Sequence, residues 1–201
     1  MVLPLPNGAT GAALSAVSAA SPSDAWASGH YEVGQYEYSL MEHYNGKRWS
    51  EVTVPGGGLT VVLDLGPRTV WALADTTLLQ YNGSAWNSAA SQPTSPDTLT
   101  GSSADSVWTI SSTAGGPVAE HWNGTTWTQV GAPNPNVGLR DNAEASLSTL
   151  WTVGSTLGSG SLTSQPYIAD NGVQVATPSV PGSASLSGVG TGSGHAFCSR
   201  V

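Results

Sequence analysis

The feature that most constrains this chain is a tryptophan that returns at one place in a repeating text. SPSDAWASG, GPRTVWALA, SADSVWTIS and SLSTLWTVG each set a tryptophan after a polar turn, at Trp26, Trp71, Trp108 and Trp151, with spacings of 45, 37 and 43 residues. GSGHAFCS repeats the pattern 46 residues further on, with Phe197 in the tryptophan place. A second motif, Asn-Gly-x-x-Trp, follows as NGKRW (45–49), NGSAW (82–86) and NGTTW (123–127), and in degraded form as NGVQV (171–175). A leucine-led run opens the units: LSAVSAA at 14, LTVVLDL at 59, LTGSSAD at 99 and LSGVGTG at 186, with Leu139 in that place in the fourth. Self-similarity at such a period means a series of small units that bury their apolar faces against one another.

Each unit reads as four antiparallel strands, because apolar residues alternate and no capped 3.6-residue period is sustained. Asn-Gly between alternating runs is a hairpin signal, and a type I′ turn there needs positive φ at both central residues. The expected fold class is all-β: a five-bladed β-propeller of four-stranded antiparallel blades, at about 14–55, 59–93, 99–133, 139–181 and 186–201. The last blade is incomplete. Residues 1–6, whose VLPLP is like the strand endings VTVP and VATP, are expected to complete it and close the ring, which removes free sheet edges. Residues 1–201 then form a single domain. Small residues suit the inner strands, and the tryptophans suit the wedge between blades.

The pattern L-x-x-V…S-x-x-D-x-W-x-x-G…H-W-N-G-x-x-W resembles the short Trp-rich β-propeller repeats common in large bacterial secreted proteins. These are propellers of the WD, kelch and Asp-box kind and of tachylectin-like size, although their own motifs differ from this text. The resemblance implies the fold and leaves activity open, since propellers host lectins, hydrolases, lyases and scaffolds. SPSDAW lacks the Asp-box glycine, and Arg48, Arg68, Arg140 and Arg200 assemble no sialidase arginine triad.

Charge narrows the function classes. The net charge is −8, from 13 acidic and 5 basic side chains, and only 9% of residues are charged, against about 25% in ordinary domains. No Lys/Arg cluster is present to grip nucleic acid, and an acidic surface is repelled by anionic lipid. No apolar run approaches the roughly 20 residues that cross a bilayer. Cys198 is alone, and His30, His43, His121 and His195 share no metal-type spacing, so neither cofactor nor metal is expected. MVLPLPNG lacks a signal-peptide pattern, which leaves a removed signal or a cytoplasmic protein. The Lys-poor, Ser/Thr/Gly-rich composition favours a secreted or cell-surface setting. The sequons at Asn82 and Asn123 recur as turn residues and are read as turns.

Glu42-His43 and Glu120-His121 invite an acid–base reading. Adjacent strand residues face opposite sides, however, and the second and fourth units replace the pair with Leu79-Gln80 and Ile168-Ala169, so a structural role is expected. Asp24 and Asp105, in the turns before Trp26 and Trp108, are expected to accept local backbone amides, as are Thr69 and Thr149 in the other units.

Loop length points elsewhere. The interval between first and second tryptophan positions is 23, 15, 19 and 24 residues, and the variation falls between strands two and three. In the first unit that stretch is GHYEVGQYEYS (29–39), which gathers His30, Tyr31, Glu32, Tyr36, Glu37 and Tyr38. Aromatic faces with carboxylate acceptors suit a sugar, and tyrosines suit a protein interface equally. Alternate tyrosines are also what an extended hairpin would carry. The residues expected to bind ligand are these six and Asp64, an acid on an inner strand. The function expected first is a non-catalytic, carbohydrate-recognising, lectin-like module. The alternative is a protein-interaction or structural module of an extracellular assembly. A glycan-active hydrolase or lyase using Asp64 and Asp141 is the third reading.

Overall fold

The computed structural model describes residues 6–94, 96–111, 113–131, 136–146, 149–157, 164–177, 182–192 and 195–200, and every element among them is a β-strand. The chain divides into two compact units, Met1–Gln92 and Pro93–Val201.

The first unit holds two antiparallel sheets whose strands lie in chain order. One contains β1 (Gly11–Ser21), β2 (Asp24–Val33), β3 (Tyr36–Tyr44) and β4 (Trp49–Glu51); the other contains β5 (Leu59–Asp64), β6 (Val70–Ala74), β7 (Thr77–Tyr81) and β8 (Trp86–Ser88). Strand alternation sends Trp26 and Met41 of the first sheet to the side that meets the second. There they pack with Leu59, Val62, Val70, Ala72, Leu79 and Trp86 in one buried cluster. Trp26 meets Trp86 edge-on at 5.5 Å, so a tryptophan does fill the wedge between successive sheets.

The second unit repeats the plan. Its sheets are β9 (Thr100–Ser103) to β12 (Trp127–Val130), with β10 (Ser106–Ser111) and β11 (Val118–Trp122) between, and β13 (Val137–Ser146) to β16 (Val173–Gln174), with β14 (Thr149–Leu157) and β15 (Ser164–Asp170) between. Trp108 packs with Ala119 and Leu150. A two-stranded sheet, β17 (Leu186–Gly192) with β18 (His195–Arg200), follows. The expected closing strand at residues 1–6 lies, except for Pro6, outside the described residues.

The Asn-Gly turns depart from expectation in three of four copies. Tyr44 pairs with Trp49, Tyr81 with Trp86 and Trp122 with Trp127, so those loops hold four residues, and only their glycines (Gly46, Gly83 and Gly124) have positive φ. The asparagine closes each loop with its side chain. Asn82 Oδ1 accepts the amides of Ser84 and Ala85 at 3.0 Å, and Asn45 and Asn123 do the same for their own loops. An Asx turn therefore replaces the second positive φ. Of the four Asn-Gly copies, the fourth alone makes the two-residue turn: Asp170 pairs with Val173, and both Asn171 (φ 48°) and Gly172 (φ 77°) are left-handed.

That shorter turn changes the alignment of the fourth unit. Trp26 lies opposite His43 and Trp108 opposite His121, but Trp151 lies opposite Asp170. The place of the histidine is held by Asp170, not Ala169. The turn before the tryptophan shifts too: Asp24 pairs with Ser21, and the residue in that place in the third sheet is Ser106, which pairs with Ser103.

Candidate functional site

The stretch 29–39 is not a loop. Val33 pairs with Tyr36 across a two-residue turn opened by Gly34 (φ 65°), the place where a II′ turn takes glycine. β2 and β3 continue to that tip, so the tyrosines extend a hairpin. The register then divides the expected site residues between two faces. Tyr31 lies opposite Tyr38, and their rings stack at 5.3 Å. Tyr31, Val33, Tyr36 and Tyr38 share one face, with Tyr36 63% and Tyr38 44% exposed. His30, Glu32, Glu37 and Ser39 share the other, Glu32 directly opposite Glu37. Aromatic faces and carboxylate acceptors, which a sugar site needs together, point to opposite sides.

The tyrosine face continues down the first sheet as a graded surface. Cross-strand rows run Leu14–Gly29–Leu40, then Val17–Ala27–Glu42–Glu51, then Ala19–Ala25–Tyr44–Trp49. Leu14, Ala16, Val17, Ala27 and Trp49 line an open depression of about 330 Å³. The second sheet shows what such a face does when covered. By register Leu59, Val62 and Trp86 occupy the places of Leu14, Val17 and Trp49, and they are buried against Trp26 and Met41. Leu59 and Val62 are 2% and 5% exposed; Leu14 and Val17 are 53% and 70% exposed. Sequence reasoning passed over Leu14, Val17 and Trp49, because the repeat text is the same whether the face is covered or open.

Asp64 has a structural task. One carboxylate oxygen accepts the amide of Ala20 in β1 and the other the amide of Gly66, each at 3.0 Å, and its own amide donates to Ser18 Oγ at 2.9 Å. It clasps the inner strands of two sheets and is buried. Burial pushes its pKa above the usual carboxylate value, and the two amides oppose that rise. Asp141 is likewise engaged, by the amides of Asn142 and Val189 at 2.9 Å. Both carboxylates thus hold backbone donors on each oxygen.

The Glu-His pairs separate as strand alternation requires. His43 stacks on Trp26 at 4.2 Å and donates from Nε2 to Asp24 Oδ1 at 2.8 Å, so Asp24 meets a side chain where a backbone amide was expected. His121 stacks on Trp108 at 4.1 Å, with Nε2 3.0 Å from Ser106 Oγ. Ser106 Oγ also lies 2.6 Å from Glu144 Oε1. A carboxylate only accepts, so the serine hydrogen goes to Glu144 and His121 must donate from Nε2. Ser106 is therefore no nucleophile activated by His121.

Burial lowers the His121 pKa from 6.5, with the Glu144 charge opposing. Between that lowered value and 6.5 the unfolded chain binds a proton that the folded imidazole refuses, so stability rises with pH through this window and levels above it. Urea unfolding between about pH 5 and pH 7.5 should show this rise in the wild type and a smaller one in His121→Gln.

Among the described residues no group of three or more His, Cys, Asp or Glu is placed to hold a metal, and no helix is long and apolar enough to cross a membrane. What remains among the described residues is a series of four-stranded antiparallel sheets, with a buried tryptophan between the first and second and another between the third and fourth, and with an aromatic–aliphatic face of the first sheet exposed. This is the β-propeller class of repeat protein. The fold is similar to that of Ycf48 in the solved structure "YCF48 bound to D1 peptide", at 14% identity and a TM-score of 0.52, over 93% of this chain and 74% of that one. It is also similar to Ycf48 from Cyanidioschyzon merolae, at 13% identity and a TM-score of 0.40, over 97% and 94% of the two chains. No protein-family model and no curated protein matches the sequence.

Proposed function

We propose that this chain is a non-catalytic protein-interaction module that binds an extended peptide on the open face of its first sheet. The observation that carries the reading is the contrast between two equivalent faces: one buries Leu59, Val62 and Trp86 against a neighbour, the other leaves Leu14 and Val17 in water. Exposed apolar surface that continues into aromatic side chains marks an interaction site. The splitting of tyrosines from carboxylates on the hairpin favours a protein ligand over a sugar. The solved structure whose fold is similar is itself a peptide complex, which supports the same reading. In this proposal β17 and β18 are the first two strands of a fifth blade, and the module works outside the cell or on its surface, a setting that the Lys-poor, Ser/Thr/Gly-rich composition favours.

The test is selection of a displayed random-peptide library against the immobilised chain, with a Leu14→Ser/Val17→Ser double variant as counter-target. Both side chains are exposed, so the variant should fold as the wild type does. Peptides that bind the wild type and lose at least about tenfold on the variant are expected. Equal enrichment on both targets would sink the proposal. A wild-type dimer that the variant abolishes would assign the face to a second copy instead. Binding on a glycan array that Tyr36→Ala removes would return the site to carbohydrate.

A further inference from the structure

Glu42 is the outlier on the open face. It is 6% exposed, and its Oε2 is buried with no hydrogen-bond partner. Its direct neighbours in the cross-strand row are Ala27, which lines the depression, and Glu51, another carboxylate. Like charges directly opposite each other on a sheet repel. Burial, and then Glu51, push the Glu42 pKa upward.

The third sheet shows what this position requires. Glu120 occupies the same place, and its Oε2 accepts the amide of Thr94 at 2.9 Å and the hydroxyl of Ser111 at 2.5 Å. Thr94 belongs to a length of chain laid against the blade; Ser111 stands where the first sheet has Gly29. Gly29 cannot become serine, because a Cβ there would lie 2.0 Å from the carbonyl oxygen of Ala13 at the β1 bulge. The first sheet thus keeps the acid and has lost both donors.

Resting on the interaction reading above, we infer that the ligand is a basic–apolar peptide, with an apolar side chain in the depression of Leu14, Val17, Ala27 and Trp49 and a lysine or arginine brought to Glu42 and Glu51. Two strand spacings separate Val17 from Glu42, about 10 Å. A peptide in the polyproline II conformation rises about 3.1 Å per residue and brings every third side chain to one side, so anchors three positions apart span that distance. The net charge of −8 favours a cationic partner and speeds its approach.

Fluorescence anisotropy with labelled Gly/Ser peptides, carrying leucine and lysine three positions apart in either order, tests this. The wild type is expected to bind one order, about tenfold more weakly when lysine is replaced by glutamine. In Glu42→Gln that discrimination should disappear, while its thermal melt stays at or above that of the wild type. Equal binding of the lysine and glutamine peptides, with loss on Leu14→Ser/Val17→Ser, would overturn the role of Glu42 and leave the interaction face standing. Binding unaffected by Leu14→Ser/Val17→Ser, or no binding of any peptide, would overturn both.

Discussion

Trp26→Ala is expected to destabilise the first unit by about 3–5 kcal/mol, lowering its melting temperature by roughly 15 °C or more. Trp26 is buried between two sheets and touches three rings: His43 stacks on it, Tyr81 lies tilted at 5.2 Å and Trp86 meets it edge-on. Truncation opens a cavity where backbone sheets cannot close up, and it uncovers the apolar side of His43. Trp26→Phe separates packing from polarity. The indole Nε1 is buried without a hydrogen-bond partner, so phenylalanine deletes an unsatisfied donor while keeping most of the ring. It should cost less than about 2 kcal/mol. A phenylalanine variant as unstable as the alanine variant would show that indole shape is essential at this wedge. Urea unfolding followed by far-UV circular dichroism measures both.

The second large effect is at Asp64. Asp64→Ala leaves the amides of Ala20 and Gly66 without their acceptors, at about 1–3 kcal/mol each, so a loss of about 2–6 kcal/mol is expected. Asp64→Asn keeps one acceptor and should fall between. The raised pKa gives a pH signature with a definite sign. Between the ordinary value of 3.8 and the raised folded value, the folded state holds a proton the unfolded chain has released. Stability attributable to this group is therefore fully present below 3.8, declines as pH rises through the window, and is level above it. The alanine variant should lack that decline while being less stable throughout. If Asp64→Ala melts with the wild type, the clasp between the inner strands is not what Asp64 supplies.

Most of the architecture was legible before any coordinates. Strand number, order and antiparallel pairing followed from two motifs that recur with their spacing, because a repeat multiplies a weak local signal. The errors came where one residue type serves two geometries. Asn-Gly suits a two-residue turn through backbone φ and a four-residue turn through the asparagine side chain, and only the pairing of Tyr44 with Trp49 against that of Asp170 with Val173 separates them. Asp64 looked like a free acid because its partners, Ala20 and Gly66, are backbone amides and have no sequence signature.

The site divides the same way. The sequence by itself determined that this chain would be built of four-stranded antiparallel β-units with recurring tryptophans, and that residues 29–39 would be the variable segment. Only the tertiary structure decided which way each side chain faces and which faces are covered. Alternation put the tyrosines of the hairpin on one side and its carboxylates on the other. Val17 and Val62 are the same residue in the same repeat position, yet one is a surface side chain and the other core. The physical reason is that burial belongs to a pair of sheets, and a repeat records what each sheet offers without recording whether a neighbour has taken it.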